Sequence, residues 1–212
     1  IAKHLKINVR DSMSALDIKN NLLGVCDQMY LFEPGDDTTV CVLKAVKPKK
    51  VKLFTGPPSH KEDDAKVVHE LMNNADIRIV SGGTTSQIVA RELGVEVKSS
   101  TEIYDKEVPP IAYIQGVDLV TEGVLTLSKT IDRLKSLSKS LDSDIFKAKD
   151  GASQMAKLLY SASHIKLLVG RSLNIANAES SFQRDLELRL HVVGELEKIL
   201  VKLGKIVTVE YY

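Results

Sequence analysis

The chain has 212 residues, 43% of them hydrophobic, and carries a formal net charge of +1. This length suits one domain of ordinary size, or one domain with part of a second, and the apolar fraction is sufficient for a core. The near-neutral charge gives no argument for nucleic acid or an anionic membrane as a partner, and no window is apolar over the ~18 residues that a bilayer-spanning helix needs.

The two cysteines, Cys26 and Cys41, lack CxxC spacing and match no zinc-ligand pattern. We expect them to be small core residues of a protein in a reduced, cytoplasmic compartment. The chain opens at Ile1 without Met and without a secretory signal pattern. We therefore expect a fragment of a longer polypeptide, with a processed terminus as the alternative.

The first 46 residues predict helical segments followed by one strand. Apolar side chains recur close to a 3.6-residue period over residues 15–30, which predicts a helix facing a core. A turn cluster at residues 33–37 precedes residues 38–46, whose β-branched side chains predict a strand. The basic residues 47–50 then predict a solvated linker, with a small nucleic-acid patch as the alternative. The predicted domains are residues 1–46 and residues 51–212.

From residue 51 onward, short apolar segments alternate with helical ones. Strands are predicted at residues 51–55, 77–80, 95–97, 111–114, 117–120, 164–169 and 206–210. Helices are predicted from a capping-box spacing at Ser59 and Glu62 to residue 73, from the glycine turn to Leu93, and at residues 123–140, 150–161 and 186–203. This alternation predicts an α/β fold, with a mostly parallel sheet and helices on both faces.

Residues 80–86, Val-Ser-Gly-Gly-Thr-Thr-Ser, connect a predicted strand to a predicted helix. Two glycines there leave the amide groups at the helix start uncrowded, and such a turn can hold a phosphate or carboxylate. The spacing is neither Gly-x-Gly-x-x-Gly nor the P-loop pattern. The alternative is a tight turn in which Thr84, Thr85 or Ser86 caps the helix.

Ligands of open α/β sheets bind beyond the carboxyl ends of the strands. The segments there are residues 56–59, 81–85, 121–123 and 170–174. Arg171 can contact a carboxylate or phosphate in a bidentate manner, and Glu122 can accept a hydroxyl or balance that arginine. The alternatives are a surface ion pair for Arg171 and a helix N-terminal charge for Glu122. The predicted ligand-binding residues are Gly56, Ser81, Gly82, Gly83, Thr84, Thr85, Glu122 and Arg171. No histidine has the context of a nucleophilic triad, so no catalytic residue is predicted.

Residues 33–43, Glu-Pro-Gly-Asp-Asp-Thr-Thr-Val-Cys-Val-Leu, resemble the closing segment of metal-dependent serine/threonine phosphatases of the bacterial sporulation stage II E branch. Residues 53–64, 81–94 and 116–127 look like the C-terminal extension of a subset of these proteins. The resemblance spans most of the chain. It implies that residues 1–46 end the catalytic β-sandwich, and that the α/β domain binds a small anionic ligand or a protein partner and regulates the upstream phosphatase domain.

The resemblance also implies that Asp36 is one carboxylate ligand to Mg²⁺ or Mn²⁺. The two-metal site of the family activates water for attack on a phosphoserine or phosphothreonine of a phosphoprotein substrate. Asp37 would brace the turn. The family takes its other metal carboxylates from upstream Asp-Gly motifs, whereas the Asp-Gly of this chain is Asp150-Gly151. We therefore expect no phosphatase activity from this chain by itself.

Three alternatives stay open at this stage. Asp36-Asp37 can be a simple turn before a strand. Residues 51–212 can be an enzyme in their own right that acts on a phosphorylated metabolite through Thr84, Thr85, Glu122 and Arg171. They can also form an oligomerisation module, and apolar side chains of the first block can pair with another copy of the chain.

Overall fold

The computed structural model describes residues 1–10, 13–33, 35–137, 147–172 and 179–212. The chain divides into two compact units, Ile1–Lys47 and Pro48–Tyr212, and each is described by itself. Among the helices of the described ranges, none is both long and apolar enough to span a bilayer.

The first unit contains two helices, α1 (Ala2–Asn8) and α2 (Ala15–Met29). Helix α2 begins with a capping box, in which the Ser14 hydroxyl accepts from the Asp17 amide at 3.1 Å and the Asp17 carboxylate accepts from the Ser14 amide at 2.9 Å. The helix predicted at residues 15–30 is therefore present. Neither helix has a buried residue, so the described part of this unit has no core of its own.

The prediction of a strand at residues 38–46 is wrong, because these residues have no regular secondary structure. A strand forms only where a neighbouring strand pairs with its amide and carbonyl groups, and the described residues of this unit supply none. Val40 and Val42 are half-buried, whereas Leu43 is 94% exposed. The expectation of two core cysteines is also wrong, because Cys41 is exposed and Cys26 is only partly buried, on a helix without a buried residue.

The second unit has the α/β fold that the sequence predicts. Its described residues form a seven-stranded sheet in the order β3-β4-β5-β2-β1-β6-β7. The pairs β1–β2, β1–β6, β2–β5 and β6–β7 are parallel, whereas β3–β4 and β4–β5 are antiparallel. The strands are β1 (Lys50–Thr55), β2 (Ile77–Ser81), β3 (Lys98–Ser99), β4 (Ala112–Tyr113), β5 (Leu119–Thr121), β6 (His164–Val169) and β7 (Ile206–Tyr211).

Helices cover both faces of the sheet. The helices are α3 (Asp64–Met72), α4 (Gly83–Leu93), α5 (Val124–Leu137), α6 (Gly151–Ser161) and α7 (Glu179–Lys202). Val51 and Leu53 of β1 belong to a core cluster with α5, α6 and α7, while Phe54 of the same strand belongs to a second cluster with α3 and α4. The alternation along β1 therefore places one core on each face of the sheet.

Several boundaries differ from the predictions. The prediction of a capping box at Ser59 is wrong. The Ser59 hydroxyl donates to the carbonyl of Tyr212 at 3.2 Å, and α3 begins only at Asp64, after a single 3₁₀ turn. The strand predicted at residues 95–97 lies instead at Lys98–Ser99. Helix α5 is described to Leu137, and its predicted end at residues 138–140 lies outside the described residues. Strand β1 begins within the predicted linker, at Lys50.

A cluster of charged side chains, here called the Glu70 cluster, joins α3 to the sheet. The Glu70 carboxylate accepts from Lys52 at 2.5 Å and from Lys166 at 2.8 Å, and Lys166 also pairs with Glu210 at 2.6 Å. Hydrogen bonds from Lys166 and then Lys52 lower the pKa of Glu70. The only buried cation of this group, Lys52, is therefore balanced by a carboxylate.

Candidate functional site

The carboxyl ends of the parallel strands lie together along one edge of the sheet. Strands β2 and β5 lie on one side of β1, and β6 and β7 lie on the other, so the direction in which strands are added reverses between β1 and β6. A ligand crevice is expected at such a reversal. Here the backbone fills it, because the Gly170 amide donates to the carbonyl of Thr55 at 2.9 Å and the Ser172 amide donates to that of Pro57 at 3.0 Å. A Cβ at Gly170 would stand 2.1 Å from the Pro57 oxygen. The open space therefore lies on the other side of β1, towards β2 and β5.

A cavity of about 180 Å³, here called the glycine cavity, occupies that space. It brings together seven of the eight residues that the sequence predicts as ligand-binding, and it omits Arg171. Three strand-to-helix connections and one helix supply its walls. The lining residues are Thr55, Gly56, Pro57, Ser81, Gly82, Gly83, Thr84, Thr85, Glu122, Gly123, Val124 and Arg189.

Helix α4 begins at this cavity with uncapped amide groups. Gly82 is the N-cap, with φ at 121°, and no side chain caps the helix. The first helical bond runs from the Ser86 amide to the Gly82 carbonyl at 2.9 Å, so the amides of Gly83, Thr84 and Thr85 precede it. The alternative in which Thr84, Thr85 or Ser86 caps the helix is wrong, since the Ser86 hydroxyl donates to the Gly82 carbonyl at 2.8 Å. These amides favour an anion.

Two buried threonine hydroxyls line the glycine cavity without a hydrogen-bond partner among the described residues. Thr55 is 2% exposed and Thr85 is 1% exposed. The neighbouring Thr121 differs, because its hydroxyl donates to the Glu122 carbonyl at 3.0 Å. Neither oxygen is among the fully buried side-chain atoms that lack a partner in the described ranges, so both are open to the cavity. The cavity therefore holds two hydroxyls that a ligand or water can satisfy.

Arg189 of α7 supplies a positive charge to the same cavity. Its guanidinium donates to the Gly170 carbonyl at 3.2 Å, and within the described part of the chain it forms no ion pair. Burial lowers the pKa of Arg189, while the negative charge of Asp185 acts in the opposite direction. A guanidinium keeps its charge even so. A half-buried cation without a carboxylate partner is suited to an anionic ligand.

Gly56 makes room for this arginine. A Cβ at Gly56 would stand 2.6 Å from Nη1 of Arg189 and 2.8 Å from the carbonyl oxygen of Gly170. The residue also has a φ of 78°, in the left-handed region that favours glycine. The glycine that follows β1 thus leaves space for a charged side chain of a helix more than a hundred residues further along the chain.

Arg171, the cation that the sequence predicts, lies at the same edge but does not line the cavity. Its amide donates to the Tyr212 carbonyl at 2.8 Å, and its guanidinium stands 5.5 Å from the centre of the Tyr211 ring. Sequence reasoning missed Arg189 because this residue lies within a long helix, away from any strand end. Leu173 and Asn174, part of the same predicted segment as Arg171, lie outside the described residues.

Glu122 adds a carboxylate to the rim of the cavity. The side chain is exposed, and no donor in the described ranges forms a hydrogen bond with it. A Cβ at Gly83 would stand 4.0 Å from its Oε2 atom, so the carboxylate lies beside the start of α4. It can accept a hydrogen bond from a ligand hydroxyl or ammonium group.

Asp36, the predicted metal ligand, lies in the first unit. Its Oδ1 atom accepts from the amide of Asp37 at 2.8 Å, which is a bond within the turn. Across the described ranges, no three or more His, Cys, Asp or Glu side chains are grouped as a metal ion would need. A site for two such cations needs several carboxylates, even though each Mg²⁺ keeps some of its waters. The described residues therefore do not fit Mg²⁺ or Mn²⁺ at Asp36.

A larger cavity, of about 530 Å³, lies between α6 and the β4–β5 edge of the sheet. Most of the polar side chains on its walls already have protein partners. Lys149 stands 6.0 Å from the centre of the Tyr104 ring, Lys157 donates to the Ala148 carbonyl, and Asp118 accepts from the Arg78 amide. The glycine cavity is the better candidate because several of its polar groups are left for a ligand.

Comparison with known proteins gives no relative: no family model, curated protein or solved structure matches the chain.

Proposed function

We propose that residues 48–212 form a receptor domain that binds a small anionic ligand in the glycine cavity. The observation that carries this proposal is the cavity itself, in which free amides, two threonine hydroxyls without a hydrogen bond and an arginine without an ion pair converge in the described part of the chain. All three kinds of group donate hydrogen bonds, and together they suit a tetrahedral oxyanion with several acceptor oxygens. Phosphate is therefore the first ligand to test.

We also propose that the chain is the C-terminal part of a bacterial, cytoplasmic metal-dependent serine/threonine phosphatase, whose activity the receptor domain regulates. The support is the sequence resemblance at residues 33–43, 53–64, 81–94 and 116–127. The two helices of the first unit have no buried residue and residues 38–46 form no strand, which agrees with a segment that packs against an upstream phosphatase domain. That domain would supply the remaining metal ligands and recognise the phosphoprotein. A protein partner in place of the small ligand is the variant of this proposal.

The receptor function is tested by isothermal titration of the whole chain with inorganic phosphate, in a buffer without other oxyanions. The Arg189→Gln variant should bind phosphate about ten- to a hundredfold more weakly, since it loses a hydrogen bond from a charged donor. Arg171→Gln is the matched control at the same edge and should bind as the wild type does. Equal losses in both variants, or no phosphate binding by the wild type, would overturn the proposal.

The phosphatase proposal has a separate test. Metal-dependent hydrolysis of p-nitrophenyl phosphate is measured for this chain, for a longer polypeptide with the upstream Asp-Gly motifs, and for both in the presence of phosphate. We expect turnover from the longer polypeptide only, with a rate that the ligand changes. Robust turnover by the present chain would contradict the proposal.

A stand-alone enzyme is the second candidate, because the unpaired carboxylate of Glu122 faces the same cavity as the anion donors. Such a carboxylate can act as a general base towards a bound phosphorylated metabolite. In that case Glu122→Gln would abolish turnover and preserve phosphate binding. A receptor would show no turnover in either form.

A further inference from the structure

A second cavity adjoins the glycine cavity and shares two of its walls, Gly83 and Glu122. This side cavity has a volume of about 190 Å³. Each cavity alone is below the ~300 Å³ at which small-molecule sites begin, whereas the two together exceed that size. The side cavity is lined by Gly83, Ser86, Gln87, Val97, Ser99, Pro110, Ile111, Ala112, Val120, Thr121 and Glu122.

The two cavities differ in chemistry. The glycine cavity offers hydrogen-bond donors and the positive charge of Arg189, whereas the side cavity has no cationic side chain. Apolar side chains make up about half of the side-cavity lining, and Gln87 and Ser99 add exposed polar groups that have no hydrogen-bond partner in the described ranges. The side cavity therefore suits a neutral group with both carbon surface and hydrogen-bonding atoms.

Glu122 and Gly83 line both cavities, and a Cβ at Gly83 would stand 4.0 Å from Oε2 of Glu122. A ligand that occupies both cavities would therefore lie beside this carboxylate. A second ligand anion would be repelled there, whereas a hydroxyl group would donate a hydrogen bond to it. A carboxylate at a strand end holds a ligand hydroxyl in other open α/β sheets too.

We propose that the two cavities form one bipartite site for a small organic phosphate with a neutral, hydroxyl-bearing body, such as the phosphate monoester of a polyol or sugar. The phosphate occupies the glycine cavity, the body occupies the side cavity, and Glu122 accepts a hydrogen bond from a hydroxyl. This inference rests on the proposed receptor function and specifies its ligand class.

The test compares the affinities of the whole chain for inorganic phosphate, ethyl phosphate, glycerol 3-phosphate and ribose 5-phosphate. At least one hydroxylated ester should bind about tenfold or more tightly than ethyl phosphate, because one hydrogen bond to a carboxylate is worth about that factor. In Glu122→Gln this advantage should shrink, while ethyl phosphate should bind at least as tightly as before because a like charge is removed.

A substitution that fills the side cavity separates the two parts of the site. Ser99→Leu should remove the advantage of the hydroxylated esters and leave inorganic phosphate bound as in the wild type. Lys98→Leu is the matched control, since Lys98 lies on the same short strand, is exposed and does not line the side cavity. Both variants place a leucine at the sheet edge, so a general effect on folding would alter both.

The outcomes distinguish the inference from the function on which it rests. If inorganic phosphate does not bind, the receptor function itself fails. If inorganic phosphate binds but no hydroxylated ester binds more tightly than ethyl phosphate, the receptor stands and the bipartite site is overturned. Equal weakening of all four ligands by Ser99→Leu would also overturn it.

Discussion

The substitution Gly56→Ala tests the packing of the candidate site most sharply. A Cβ at this position meets Nη1 of Arg189 at 2.6 Å and the backbone oxygen of Gly170 at 2.8 Å. The left-handed backbone costs an alanine roughly 1–2 kcal/mol, and an overpacked contact typically adds about 1–3 kcal/mol. We expect the free energy of unfolding to fall by about 2–5 kcal/mol, which corresponds to a fall in Tm of roughly 2–4 °C for each kcal/mol in a protein of this size.

Gly204→Ala is the matched control, because Gly204 has a φ of 77° and no neighbour within 4 Å of a built Cβ. It has the backbone strain of Gly56→Ala without the contact, so denaturant unfolding of both variants isolates the contact energy. Phosphate titration completes the comparison, since Arg189 must move in Gly56→Ala but not in Gly204→Ala. Equal destabilisation of the two variants, with unchanged phosphate affinity, would refute this account of the site.

Three further predictions concern the hydroxyl of Thr85, the carboxylate of Glu70 and the helix cap at Asp150. Thr85→Val should leave the free energy of unfolding within about 0.5 kcal/mol of wild type and weaken phosphate binding about tenfold. The control, Thr121→Val, should destabilise the fold by about 1–3 kcal/mol because the Thr121 hydroxyl is hydrogen-bonded. A destabilised Thr85→Val would show that the Thr85 hydroxyl has a structural role. The lysine contacts lower the pKa of Glu70 below its ordinary 4.5, so its stabilisation is present above that value and is lost as the pH falls through the lowered pKa. Glu70→Gln should therefore be less stable than wild type at neutral pH by about 1–2 kcal/mol, and the two unfolding curves should converge in acid; a difference that persists there would contradict the charge-based explanation. Asp150→Ala should cost about 1 kcal/mol because this side chain caps α6 through the Ser153 amide at 2.9 Å, while Asp63→Ala, at an N-cap without a side-chain bond, should cost less, as thermal unfolding of both would show.

The fold was predictable where the sequence pattern is local. Alternation of short apolar runs with amphipathic stretches identified the elements of the second unit, because strand and helix periods differ and each run faces a core. The failures have a different origin. Residues 38–46 have the composition of a strand, but pairing depends on a neighbour that the described residues of the first unit do not provide. Ser59 has the spacing of a cap, but its hydroxyl bonds to Tyr212 at the far end of the chain.

The site was predictable to the extent that it is built from strand ends. The glycine turn and Glu122 follow strands β2 and β5, and the rule for open sheets places them at one edge. The cation was not predictable in the same way. Arg171 follows a strand as the rule requires, yet it lies against Tyr211. Arg189 lines the cavity from α7, which follows β6, the strand that pairs with β1. Strand order determines which cation lines the cavity, and strand order cannot be predicted from the local sequence.

The most direct measurement of the central claim is a phosphate titration followed by the amide signals of the whole chain in NMR spectra. If the glycine cavity binds the anion, the largest and saturable shifts belong to the amides of Gly83, Thr84 and Thr85, and they disappear in Arg189→Gln. Shifts that centre instead on the lysines of the Glu70 cluster, or no saturable shifts at the start of α4, would contradict the claim that this cavity is an anion receptor.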